Sequence, residues 1–206
     1  MKRLQIMTLG LGLLFLCQCG SRTTLVRKYY TMETDAQVDV DLLNVPVPFL
    51  INAGFAAVKI NEPYQDARIA LRSRSNELVY YFYHYWADKP AAMTSRLIHE
   101  TFLQSGVFKT CTRTVSESTD VVIKSEITTL ERIRTKKNEY ARVAGCFHMI
   151  YKPTNTEMLT YPFDRRHELR KVKTMNAFAQ TISKIIFDES EEFVFRVADY
   201  FQYPPD

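Results

Sequence analysis

Residues 4–16 form a short apolar run behind Lys2 and Arg3, and its length decides what the rest of the chain can become. Thirteen residues are too few to cross a hydrocarbon core of about 30 Å, which takes about 20 helical residues. No later window approaches about 18 uncharged apolar residues, so nothing further along reads as a membrane span. A basic start and a short leucine-rich run with no span behind it read as a secretory leader, removed in the mature protein.

The leader ends in Leu16-Cys17-Gln18-Cys19, followed by Gly20-Ser21. This resembles a bacterial lipoprotein signal, in which a Leu three places before a Cys marks the lipid-modified first residue. The resemblance implies lipidation at Cys19, with Cys17 as the rival site and a plain cleaved signal as the alternative. Each buried acyl CH2 contributes about 0.8 kcal/mol, so one chain binds reversibly while two or more anchor stably. Gly20, rather than Asp, follows the Cys. By resemblance to Gram-negative lipoproteins, that favours the outer membrane, with the protein facing the periplasm. The expected organisation is a leader over 1–18, a lipidated Cys and tether over 19–27, and one α+β domain over 28–206.

Cleavage before Cys19 leaves 188 residues, enough for one domain with a sizeable core. Loss of Lys2 and Arg3 takes the 27 Lys and Arg to 25, against 23 Asp and Glu. That balance is too even to argue for nucleic acid. No Gly- or Ser-rich linker and no internal repeat divides the chain. Beyond the anchor only Cys111 and Cys146 remain. Export permits a disulfide, but strands over 107–114, 120–133 and 140–152 in a simple meander would hold the two roughly 9–10 Å apart. A bridge needs Cα atoms within about 7 Å, so two buried free thiols are expected.

Residues 29–32 and 38–45 read as the first strands, and Asn52-Ala53-Gly54 as a turn. Short strands are expected over 55–60 and 67–71. Residues 78–86 (Leu-Val-Tyr-Tyr-Phe-Tyr-His-Tyr-Trp) are aromatic and β-branched, as a strand packed on both faces should be. Pro90 opens a helix where its missing N–H is harmless, and Gly106 closes it. Met93 with Leu97, and Ile98 with Phe102, are i,i+4 pairs on its buried side. Val121, Ile123 and Ile127 alternate against Lys124 and Glu126, and Val143, Phe147 and Met149 against Arg142 and His148. A strand is expected over 158–163. A helix with core spacing runs from Val172 to Tyr200, with a break near Asp188. The fold class is therefore α+β: a mainly antiparallel mixed sheet with two helices packed on one face, in a single domain.

An ordered set of residues runs through the first half of this domain. It comprises Tyr29-Tyr30-Thr31-Met32, Arg72, Glu77-Leu78, Tyr80-Tyr81, Trp86-Ala87-Asp88, Pro90-Ala91 and Ser105-Gly106-Val107-Phe108. With the lipoprotein start, the set resembles the ABC-type transport auxiliary lipoproteins, the PqiC/YmbA-like group. These accompany lipid transport systems that contain MCE-domain proteins. Two departures are Tyr85 where an Arg commonly precedes the Trp, and the acidic run over 188–192. The resemblance implies a non-enzymatic part that holds or docks a lipid-conducting channel at the outer membrane. Its implied partners are an MCE-domain channel protein, ABC transporter components, the membrane and a further copy of the chain. It carries Trp86 and Pro90 over as markers of the strand-to-helix corner and no catalytic residue.

Enzyme signatures are missing: there is no G-x-S-x-G elbow, P-loop or dinucleotide-binding glycine pattern. His99-Glu100 begins an H-E-x-x-H pattern, but position 103 is Leu, so the second zinc ligand fails. No cofactor, metal or catalytic residue is expected. The aromatic run is either ordinary core or a contact surface, since Tyr and Trp bury large area while keeping a polar tip wet. As a contact surface it would use Tyr81, Tyr83, Tyr85 and Trp86. Arg134, Lys136 and Lys137, with Arg132 and Arg142, cluster around an expected hairpin tip. A second basic cluster, Arg165, Arg166, Arg170, Lys171 and Lys173, precedes the last helix. Either cluster could meet an acidic partner or anionic headgroups, although a solvated turn is the default. The run Asp188, Glu189, Glu191 and Glu192 lacks the spacing of a Ca2+ loop and reads as a solvated face or a helix break. Two other readings stay open: a lipoprotein assembly or chaperone module binding outer-membrane components, and a hydrolase built from dispersed residues.

Overall fold

One strand, Val121–Arg134, organises the molecule, because both of its edges are used along its length. The computed structural model describes residues 25–43, 48–169 and 173–204. The leader, Cys17, Cys19, Val45, Arg170, Lys171 and Val172 lie outside the described residues. In chain order the strands are β1 (Lys28–Tyr30), β2 (Phe49–Phe55), β3 (Lys59–Ile60), β4 (Arg68–Arg74) and β5 (Glu77–Trp86). Then come β6 (Phe108–Thr112), β7 (Val121–Arg134), β8 (Glu139–Tyr151) and β9 (Thr156–Glu168). Helix α1 (Pro90–Ser105) lies between β5 and β6, and α2 (Met175–Gln202) follows β9.

β7, β8 and β9 form a long antiparallel meander, as their strict alternation predicts. Ile123, Ile127, Val143, Phe147 and Met149 are buried on one face. Lys124, paired with His148, lies on the other. The second edge of β7 is shared in turn by β2, β3 and β4, all parallel to it. Outside them, β6 pairs with β2, β5 with β4 and β1 with β5. The sheet is thus mixed: the long ladders are antiparallel and the parallel ones short.

Both helices cover one face. Pro90 starts α1, and Gly106 ends it in the left-handed conformation (φ 61°) that glycine adopts without steric cost. Thr174 caps α2 by accepting the Ala177 N–H at 3.2 Å. Phe193 joins the layers, with ring centroids 6.0 Å from Phe102 of α1 and 5.4 Å from Phe147 of β8. α2 runs unbroken through Asp188, whose carboxylate accepts from Lys184 one turn back at 2.8 Å.

Several local expectations fail for one physical reason: a strand is defined by its partner. Residues 38–43 alternate as a strand would but pair with no strand among the described residues. Val40–Leu43 is a 3-10 turn, with Val40 and Leu42 exposed and only Leu43 buried. Asn52-Ala53-Gly54 is strand, inside β2. Gly54 stands there because a Cβ would lie 2.8 Å from the Thr119 hydroxyl. β6 pairs with β2 instead of β7, so β2 and β7 separate Cys111 from Cys146. Both thiols are free, and half-buried instead of fully buried.

Candidate functional site

The topology brings the β4–β5 hairpin, the β7–β8 hairpin and the start of α2 to one end of the sheet. β1 runs parallel to β5 with Lys28 opposite His84, so residues 25–27 enter it from the side of this same end. The basic residues of β4, β7, β8 and β9 gather here around a buried carboxylate.

Glu131 is fully buried on the helix-free face. A charge in that position is tolerated only when paired and hydrogen-bonded. Arg72 Nε donates to Glu131 Oε1 at 2.8 Å, and Tyr64 Oη donates to Oε2 at 2.8 Å. Arg142 Nη1 stands 3.7 Å from Oε1. The hydrogen bond to Glu131 raises Arg72 above its ordinary range, and burial followed by that carboxylate raises the Tyr64 hydroxyl. Tyr64 lies in the 3-10 turn Glu62–Tyr64, which roofs the carboxylate.

Around this centre the arginines are held in turn. Arg142 makes a two-point contact with Asp164 (2.9 and 2.7 Å), which raises the guanidinium pKa and lowers that of the carboxyl. Arg134 donates to Glu139 at 2.9 Å and to the Tyr81 hydroxyl at 3.1 Å. Arg166 lies 3.7 Å over the Tyr140 ring. Arg132 is buried under the helices, paired with Glu139 and donating to the Lys173 carbonyl at 2.6 Å. Burial alone would raise Glu139, but the bonds from Arg132 and Arg134 outweigh it and hold its pKa low.

Of the expected contact residues, Tyr81 and Arg134 are brought together by their hydrogen bond. Tyr81 also stacks edge-on against His84, whose ring meets the Tyr30 hydroxyl at 2.9 Å. Tyr83 is exposed, and Tyr85 packs on Tyr29 with centroids 5.8 Å apart. Lys136 and Lys137 are exposed at the β7–β8 tip, closed by the Thr135 N–H to Asn138 carbonyl bond. Trp86 is a correction: it is 3% exposed and packs on Phe178, so it belongs to the core and not to a contact surface. The surface gains Phe82, which is 82% exposed. β5 pairs Tyr80 with Ala70 and Tyr85 with Arg68, so residues 81–84 bulge out opposite Ile69 alone. A continuous aromatic run shows no such interruption in sequence.

The second basic cluster splits. Arg165 turns to the helix side, donating at 2.6 Å to Glu189, which also accepts from Tyr161 at 2.7 Å. Glu189 is buried, a correction to the solvated acidic face; Glu192 pairs at the surface with Arg196. Among the described residues, no group of three or more His, Cys, Asp or Glu is placed to hold a metal. No described helix is long and apolar enough to cross a membrane.

No protein-family model and no curated protein matches this sequence. The fold itself has solved counterparts. A Xanthomonas campestris protein described as DUF330 is similar over 86% of this chain and 95% of its own, with a TM-score of 0.67 at 14% identity. A second, described only as an uncharacterized protein, is similar over 84% of this chain and 99% of its own, with a TM-score of 0.65 at 9% identity. The mixed sheet with two helices is therefore a fold this chain shares with the DUF330 structure from Xanthomonas campestris.

Proposed function

We propose that the chain is a lipid-anchored, non-enzymatic auxiliary component of an MCE-type ABC lipid transport system, docking or positioning that machinery at the outer membrane. The leader, Cys19 and the ordered family-like residues support this reading, and so does the fold shared with a DUF330 protein. Those residues have structural jobs: Arg72 holds Glu131, Trp86 fills the core, Pro90 starts α1 and Gly106 ends it.

The observation that carries the reading furthest is the shared end of the sheet. Residues 25–27 lead into β1 from the side of the end that bears Tyr81, Phe82, Tyr83, Arg134, Lys136 and Lys137. Lys28 is nine chain steps from Cys19, and extended chain reaches about 3.3–3.6 Å per residue. The anchor therefore keeps Lys28, which pairs with His84 beside the Phe82 bulge, within roughly 30 Å of the membrane.

Crosslinking the mature protein in intact envelopes, followed by mass spectrometry of what it retains, tests the assignment. An MCE-domain protein crosslinked through the Phe82 bulge, and lost on Phe82→Ser, is the expected result. Reproducible recovery of an outer-membrane assembly factor instead would overturn it in favour of an assembly module.

A further inference from the structure

Glu131 is buried beneath the arginines and Glu77 stands at the rim, accepting from Ser73, while no carboxylate among the described residues lines the cleft itself. This cleft, about 390 Å³, opens between the β4–β5 and β7–β8 hairpins. Arg72, Arg74, Arg134, Arg142 and Arg166 line it, with three hydroxyl side chains and Ile133 between them. Its size falls among small-ligand sites of about 300–1,000 Å³.

Counting donors shows what remains available. A guanidinium carries five N–H groups and no acceptor. Arg142 commits Nε and Nη2 to Asp164, and its Nη1 stands 3.7 Å from Glu131, so it offers the cleft charge more than a free donor. Arg134 commits Nε to Glu139 and Nη2 to Tyr81, leaving Nη1. Arg166 is fixed by the Tyr140 ring and makes no ion pair among the described residues. Arg74 is 84% exposed, with Glu77 no nearer than 3.8 Å.

The register adds an independent argument. Arg142 and Arg166 stand directly opposite each other across the β8–β9 ladder. Like charges in that arrangement are destabilising. Asp164 compensates Arg142, and an anion in the cleft would compensate Arg166.

We infer that this cleft binds a phosphate group, an acceptor-only anion whose oxygens match arginine forks. The headgroup of an anionic phospholipid is the source its position favours, at the end of the sheet from whose side residues 25–27 lead into β1. Only that source rests on the lipid-anchored reading; the phosphate chemistry does not.

Calorimetric titration of the full-length protein in neutral detergent tests it, using inorganic phosphate and, separately, dihexanoyl phosphatidylglycerol. The expected result is saturable phosphatidylglycerol binding, weaker in high salt and about 30-fold weaker in the Arg74→Gln/Arg166→Gln variant, at about 1 kcal/mol per guanidinium. Both side chains are exposed, so the variant should melt with wild type; should it not, Arg74→Gln alone serves. Inorganic phosphate binding as tightly as the lipid, with the same loss in the variant, supports the site and assigns it to a free phosphate. Absence of saturable binding by either, or binding unchanged in the variant, overturns it. So does arginine-dependent binding of polyglutamate without a phosphate response, which would make the cleft a protein-docking site. Membrane retention through Cys19 and crosslinked partners are read in separate experiments, so this inference can fail while the proposed function stands.

Discussion

Glu131 shows how one residue can hold together segments that are distant in the chain. Arg72 lies 59 residues from it and Tyr64 67 residues, and both bonds close on one fully buried carboxylate. Removing one partner of such a group leaves the others desolvated and unpaired. Glu131→Ala is expected to lower unfolding free energy by about 3 kcal/mol, measured by urea denaturation. A loss below about 1 kcal/mol would mean Arg72 simply turns to water. His99 sets the acid limit. It is buried against Phe55, with Nε2 3.3 Å from the Cys111 carbonyl and Nδ1 without a partner. Burial lowers its pKa below 6.5; the Cys111 carbonyl and Glu100 pull it up and Arg113 down. The unfolded chain therefore binds the proton first, and stability falls as pH drops below 6.5 toward the folded value. His84, lowered by burial, adds to the same slope. His99→Leu should flatten the stability profile between pH 7.5 and 5.5, whereas an unchanged slope would clear His99 of that role. Pro90 and Gly106 are legible in sequence because their effects are local. The Glu131 network is not, because its partners are set by topology.

At the scale of elements the same distinction holds. β7 and β8 declare themselves, since each buries one face along its whole length and their hairpin is local. β2 does not: it pairs in parallel with strands more than fifty residues away, and its Asn52-Ala53-Gly54 reads as a turn. Gly145 makes a related point on β8. A Cβ there would lie 2.3 Å from the Glu126 carbonyl oxygen and 3.1 Å from the Phe163 ring. It sits beside the irregularity where Ile127 pairs with Gly145 and Thr129 with Ala144. Backbone cannot give way as a flexible side chain can. Gly145→Ala is expected to lower the unfolding free energy by about 1–3 kcal/mol, the range for forced overpacking. A thermal melt matching wild type would show that the β7–β8 irregularity can slide to admit the methyl group.

At the scale of the molecule, near-neutral net charge conceals a polarity between its two ends. The hairpin end carries the arginine cleft and the Lys136-Lys137 tip, while Lys89 precedes α1 beyond the far end of β5, whose bulged length spans about 20 Å at strand rise. If the chain is tethered through Cys19, an orientation with the hairpin end toward the bilayer would set the arginine cleft at the headgroups. This orientation is measurable by spin labels on Lys136→Cys and Lys89→Cys in lipidated protein reconstituted into vesicles. The native thiols should not compete, because burial pushes Cys111 up to about 11 and raises Cys146 as well, so neither is a ready nucleophile at neutral pH. The label at 136 should relax faster with lipid-soluble oxygen and show depth contrast near the headgroups, whereas that at 89 should behave as in water. Equal behaviour at the two positions would mean that the domain tumbles freely on its tether. The reverse order would place α1 at the membrane, leaving the cleft and the Tyr81–Arg134 surface free to meet a partner in the periplasm.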